Sequence, residues 1–196
     1  MTPNISLIII NRFSIFYGGD QAVAVYACIS YIICIVYLIF QGVGDGSQPI
    51  ISRYYGEKSL VRLKKIRKLA YGCGIILAAV SCLILYGTRD LIGVLFGSSA
   101  EVNARIAEIL PIFLISVPFV PVTRVTTASF YATEESILSY ILTYIEPVLM
   151  LILMFTLPPL FGGQIMIWWS TVIARILAAI LALILKQTVY RRKLAG

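Results

Sequence analysis

Residues 21–44 contain no Asp, Glu, Lys or Arg, and Asp20 and Asp45 bound the run on either side. A helix needs about 20 predominantly apolar residues to cross the hydrocarbon core of a bilayer. Four more stretches of that length follow. Residues 69–88 are also charge-free, residues 106–131 carry Glu108 and Arg124, residues 137–157 carry Glu146, and residues 165–185 carry Arg175. Water-soluble domains are about half apolar and about a quarter charged. Here the chain is 60% hydrophobic and 13% charged, so it lacks the polar surface of a soluble globule. The expected class is all-α, a polytopic membrane helix bundle with five complete spans.

The joins between these runs are short and polar or rich in turn formers. Residues 133–136 read Thr-Glu-Glu-Ser, and residues 158–163 read Pro-Pro-Leu-Phe-Gly-Gly, a sequence expected to end any helix. Seven of the 16 Lys and Arg residues lie between Arg53 and Lys68, and four between Lys186 and Lys193. Basic connections face the cytoplasm. These two patches are separated by an even number of spans, so one orientation places both inside, with the carboxy terminus cytoplasmic in a multi-pass cell-membrane protein. The opposite connections hold or adjoin only Arg89 and Arg105. Between residues 57 and 69, Leu60, Leu63, Ile66 and Leu69 recur between Arg62, Lys64, Lys65, Arg67 and Lys68. That pattern predicts a helix lying at the cytoplasmic interface before the second span, either a simple anchor or a contact for anionic lipid.

Net charge of +7 could suggest nucleic acid, but the cations flank apolar spans and form no binding face. With no histidine, there is no His-based proton relay or His metal site. Cys28, Cys34, Cys73 and Cys82 lie inside apolar runs without CxxC spacing, as packing residues do. No nucleophile–base constellation, P-loop or dinucleotide fingerprint is present, and Gly42-Val-Gly-Asp-Gly46 follows a span with no strand before it. An enzyme is not expected, and neither is a cofactor; a proton or sodium gradient would supply the energy.

Residues 5–17 are apolar but too short to span, and they read as the outer end of a helix whose beginning is absent. Tyr17-Gly18-Gly19-Asp20 would then be an outside turn. That turn, the Gly42-x-Gly44-x-Gly46-x-Gln48-Pro49-Ile50-Ile51 segment, and Tyr54-Tyr55-Gly56-x-Lys58 together resemble the multidrug and toxin extrusion (MATE) family. Phe96, the stretch Ser129-Phe130-Tyr131-Ala132, and Pro158-x-x-Phe161-Gly162 before a Trp-bearing last helix extend the resemblance over nearly the whole chain. It implies one six-helix lobe of a MATE-like transporter with its first helix truncated: residues 1–20 the end of that helix plus a turn, residues 21–196 the carboxy-terminal lobe. It also implies antiport of organic cations or drugs against protons or sodium, and an amino-terminal lobe as partner. Departures are the acidic 133–136 loop and Asp45, where many members carry other residues.

An ionisable group inside a span costs roughly 2.5–3.5 kcal/mol on insertion scales, so it is a functional candidate by default. Glu146 lies roughly 13 Å into its span, Arg124 roughly 10 Å and Arg175 roughly 15 Å, at 1.5 Å per residue. Glu146 is followed by Pro147, which removes a backbone donor and leaves a carbonyl free. A carboxylate beside a free carbonyl suits proton or sodium coupling; the same depths also suit a permanent clamp between Glu146 and Arg124 or Arg175. Asp45 is either a solvated residue at the inner mouth or a carboxylate offered to an entering cation. Gly42, Gly44, Gly46, Gln48 and Pro49 form a candidate hinge or packing notch. Pro111, Pro118 and Pro121 punctuate the third span, a device found where cavities open or simply where helices kink. Tyr26, Tyr31, Tyr37, Tyr131, Tyr140 and Tyr144 offer ring faces to cations, although most tyrosines in spans anchor or pack.

Three readings follow. The first is an efflux antiporter lobe acting on small, cationic, partly aromatic compounds. The others are a flippase for lipid-linked precursors from the same superfamily, and a non-transporting membrane half that assembles with a separate amino-terminal lobe. Membrane lipid is a partner in each, and nucleic acid in none.

Overall fold

The computed structural model describes residues 2–195, with side chains described from 10 to 189. The basic side chains at 191–193, and the start of the apolar arm at 5–9, lie outside the described side chains. Among the described residues every regular element is helical. The order is α1 (Thr2–Gly56), α2 (Leu60–Gly87), a 3₁₀ turn (Arg89–Leu91), α3 (Ile92–Leu95), α4 (Ala100–Ser116), a second 3₁₀ turn (Val117–Phe119), α5 (Val120–Ala132), α6 (Ser136–Phe161) and α7 (Ile165–Ala195). Among the described residues five stretches are long and apolar enough to cross a membrane: Ile10–Gly56, Leu60–Gly87, Ala100–Ala132, Ser136–Phe161 and Ile165–Val189.

α1 is two helical arms joined at Gly19, whose φ of 66° and ψ of −166° only glycine adopts without strain. The chain reverses there. Phe13 meets Phe155 edge-on at 5.1 Å, and Ile10 lines the same cavity as Tyr26 and Ile33. Sixteen residues of straight helix would hold Ile10 and Tyr26 about 24 Å apart. The longer arm then lies along α2 and α5, and α6 pairs with α7.

Lipid tails are as apolar as leucine, so close backbone approach supplies much of the packing between membrane helices. Two stripes of small residues at four-residue spacing do this here. On α7, Ser170, Ala174, Ala178 and Ala182 are all fully buried. On α2, Ala70, Gly74 and Ala78 are buried, and a Cβ at Gly74 would stand 2.7 Å from Pro121 Cβ, too close to accommodate. Trp168, Phe113, Phe40 and Ile29 fill the centre between α1, α4 and α7. Hydroxyls within the spans donate back to the carbonyl three or four residues earlier, as Ser47, Thr143 and Ser170 do, so none of these needs water. Outward faces are apolar: Leu83, Ile137 and Phe155 are among the exposed large side chains.

Three local expectations change, and the third span takes one of the forms its prolines left open. The Gly42–Pro49 segment is not a break: α1 runs through it to Gly56. Gly44 is a packing notch, where a Cβ would stand 3.3 Å from the Arg124 carbonyl oxygen, while Gly42 and Gly46 face open space. Pro49 sits on an exposed face, where its ring meets no neighbouring helix and the lost hydrogen bond frees one carbonyl near the helix end. The basic segment is not a separate interfacial helix, because α2 is continuous from Leu60 into the second span. α6 passes through Pro158 and Pro159 to Phe161 although neither proline can donate to the Met154 or Phe155 carbonyl, and the Gly162 N–H closes onto the Pro158 carbonyl. Gly162 and Gly163, at φ 70° and 101°, make the reversal instead. Finally, the third span is two helices. The 3₁₀ turn at Val117–Phe119 interrupts it at Pro118, and Pro121 sits in the first turn of α5. The carbonyls there are not stranded: that of Leu114 accepts from the Val117 N–H and that of Val117 from the Val120 N–H.

Candidate functional site

The break between α4 and α5 delivers Ser116 to the centre of the bundle, fully buried. Its hydroxyl donates to the Phe113 carbonyl at 2.8 Å, which leaves its oxygen free to accept. Arg175, from the α7 face beside Ala174 and Ala178, fills that role: its Nη1 stands 3.5 Å from Ser116 Oγ. Arg175 Nε lies 3.4 Å from Glu146 Oε1 of α6, and its guanidinium carbon is 4.9 Å from the centre of the Tyr37 ring of α1. The two charged side chains are only 15% and 23% exposed, so they are shielded from solvent and their attraction is weakly screened. Four helices therefore meet at one cation.

This cluster borders a cavity of about 260 Å³ whose polar rim is Arg124, Thr143, Glu146 and Arg175. Pro147 lines it as well. With no N–H at residue 147, the Thr143 carbonyl lacks its helical donor one turn further on. Glu146 thus has a backbone oxygen available on its own helix, next to the cavity. The opposite wall is aromatic. Tyr26 stacks on Trp168 with centroids 5.3 Å apart at 17°, and Phe113 tilts against Trp168 at 5.7 Å. The Tyr37 hydroxyl is buried with no hydrogen-bond partner among the described residues. No cluster of three or more metal-ligating side chains occurs among the described residues, and the four cysteines are free.

Of the residues singled out in the sequence, Glu146, Arg175 and Pro147 are brought together directly. Arg124 reaches the same cavity, but no carboxylate among the described residues lies within ion-pair distance of it. Asp45 is elsewhere: it is exposed on α1 and accepts from Gln41 Nε2 at 2.8 Å. Gly44 touches the backbone of Arg124 and so sets how closely α1 approaches α5, while Gln48 and Pro49 lie beyond the cavity. Ser116, Phe113 and Trp168 belong to the site and carried no signal in the sequence, being a neutral hydroxyl and two rings among many.

A family profile described as MatE matches residues 1–156. The chain belongs to the MATE family. Multidrug and toxin extrusion protein 1 of Oryctolagus cuniculus is 28% identical over 82 residues, 42% of this chain and 14% of that protein. Among solved structures, an outward-facing multidrug resistance MATE family transporter of the MOP superfamily superposes with a TM-score of 0.87 at 18% identity, over 95% of this chain and 42% of that one. An inward-facing transporter described in the same terms gives 0.83 over 95% and 44%. A Pyrococcus furiosus MOP superfamily transporter, described as having a binding pocket of reverse polarity that suggests a different function, gives 0.88 at 19% identity over 95% and 42%. At these identities the MATE structures establish a shared fold. The chain spans less than half the length of the solved transporters it matches.

Proposed function

We propose that this MATE chain acts as the carboxy-terminal lobe of a multidrug efflux antiporter, together with an amino-terminal lobe on the same or a second polypeptide. It would exchange small cationic or drug-like compounds against protons or sodium and need no cofactor. The observation that carries the reading is the shielded Glu146–Arg175 pair beside Pro147 in an aromatic-walled cavity. In the resting lobe Arg175 neutralises Glu146. A proton, or a sodium ion held by Glu146 with the free Thr143 carbonyl and the Tyr37 hydroxyl, competes with Arg175 for the carboxylate. Arg175 keeps Ser116 and the Tyr37 ring as alternative partners, so breaking the pair does not strand a bare cation. The clamp and the ion carrier are then one device in two states, and α6 is free to move relative to α7 when the ion is bound. Tyr26 and Tyr37 offer ring faces to a cationic substrate.

One observation favours a second reading. Two arginines face one carboxylate in the cavity, so with Glu146 ionised its formal charge is positive. A substrate bearing a negative group, including a lipid-linked precursor moved by a flippase, would suit that balance. Proteoliposomes containing this chain with and without an amino-terminal lobe distinguish the readings. Gradient-driven movement of an organic cation by the two-lobe protein supports the antiporter; movement of anionic compounds alone supports the second reading; neither, with both lobes present, removes both.

The basic ends of α2 and α7 are placed at the cytoplasmic face. With the native cysteines replaced, Ser59→Cys is expected to react with an impermeant maleimide only from the cytoplasmic side, and Ala100→Cys only from outside. The opposite pattern would invert the topology.

A further inference from the structure

A second and larger cavity, about 560 Å³, opens between α2, α5 and α7, beside the basic residues of α2 and α7. That volume is within the range of small-molecule sites, about 300–1,000 Å³. Four cations line it (Lys64, Arg67, Lys68 and Lys186), and no carboxylate among the described residues does. Below the cations the wall is apolar, with Ile75, Val122 and Leu183. Arg67 and Lys186, gathered around Tyr71, are like charges against an apolar wall, an arrangement that is unfavourable unless an anion joins them.

The polar groups are built into the helices. Thr126 donates its one hydroxyl proton to the Val122 carbonyl at 2.7 Å, so in its 2.7 Å contact with Tyr71 the Tyr71 hydroxyl is the donor. That bond fixes the Tyr71 ring as a platform, and Lys186 Nζ sits 3.9 Å above its centre. Arg67 lies one helical turn before Tyr71. Its Nε is buried without a hydrogen-bond partner among the described residues, and so is the hydroxyl of Ser129, which is 3% exposed. Buried donors normally find acceptors, so two such groups in one cavity indicate a missing acceptor.

The geometry points to a binding site for a membrane phospholipid with an anionic headgroup. Its phosphate is held by Arg67, Lys186 and Ser129, and one acyl chain runs along Val122, Ile75 and Leu183. A soluble anion would satisfy the cations but leave the apolar wall empty, and a neutral lipid would do the reverse. The bound lipid bridges α2 to α7.

The test is native mass spectrometry of the full chain released from nanodiscs of phosphatidylcholine containing phosphatidylglycerol as a minor component, with inorganic phosphate as a separate arm. Wild type is expected to retain phosphatidylglycerol selectively. Arg67→Gln/Lys186→Gln should lower that retention by about tenfold or more, on the scale of losing charge-assisted contacts. Lys58→Asn/Lys65→Gln, which removes two exposed cations outside the cavity, should not. Should the double cavity variant fail to insert, Leu183→Trp keeps every charge and fills the apolar part, and it should lose the lipid as well. Equal loss in the surface pair would mean diffuse attraction to the basic face and overturn the site. Full retention in the cavity variants, or displacement of the lipid by inorganic phosphate alone, overturns it too.

Discussion

Glu146→Gln in the two-lobe transporter is expected to reduce gradient-driven efflux by about a hundredfold or more, the scale on which removing a proton-transferring side chain usually acts. Insertion and abundance should stay close to wild type. Glutamine keeps the length of the side chain and an acceptor oxygen for Arg175, but it carries no charge and takes up no proton at working pH. Glu146 is the only carboxylate lining the central cavity among the described residues, so no neighbour can substitute for it. The informative comparison is between efflux under an imposed proton or sodium gradient and passive equilibration of the same compound. Loss of the first with the second retained locates the defect in coupling. Gradient-driven efflux equal to wild type would remove Glu146 from the ion path and leave it as a clamp.

Arg175→Leu should be the most destabilising single change in the site. It leaves the Glu146 carboxyl without its cation in a shielded setting, and removing one partner of a buried ion pair typically costs about 3–5 kcal/mol. Ser116 loses its contact at the same time, and Tyr37 loses the cation on its ring. Adding Glu146→Gln removes the stranded charge, so the double variant should regain much of the loss. A double-mutant cycle on thermal unfolding in detergent is expected to give a coupling of about 1–3 kcal/mol for Glu146 with Arg175. The same cycle for Glu146 with Arg124 should be additive to within about 0.5 kcal/mol, because no ion pair joins them. Additivity in both cycles would dissolve the clamp; coupling confined to Arg124 would mean that the resting partner is the other arginine.

The cost of each residue in lipid explains what could be read directly. Five apolar runs, with Arg124, Glu146 and Arg175 the only charges well inside them, leave a chain little choice but a helical bundle in a membrane, because backbone amides there must bond within their own segment. The interruption at Pro118 and Pro121 was legible for a covalent reason, the missing N–H. The same rule overreached at Pro49, Pro158 and Pro159, where α1 and α6 run on for a few residues despite the missing N–H groups. The two small-residue stripes, Ser170-Ala174-Ala178-Ala182 and Ala70-Gly74-Ala78, emerged only from the structure. Their meaning depends on which neighbour lies opposite.

The sequence by itself therefore determined the class, the spans and the depth of each intramembrane charge. It narrowed the partner of Glu146 to two arginines at similar depths and could go no further, since depth is a property of one helix and contact a property of two. Only the tertiary structure decided between them. The rotation of α7 that buries its small-residue stripe aims Arg175 at Glu146, the break before α5 brings Ser116 to its other side, and Gly44 holds α1 against α5 so that Tyr37 covers the guanidinium.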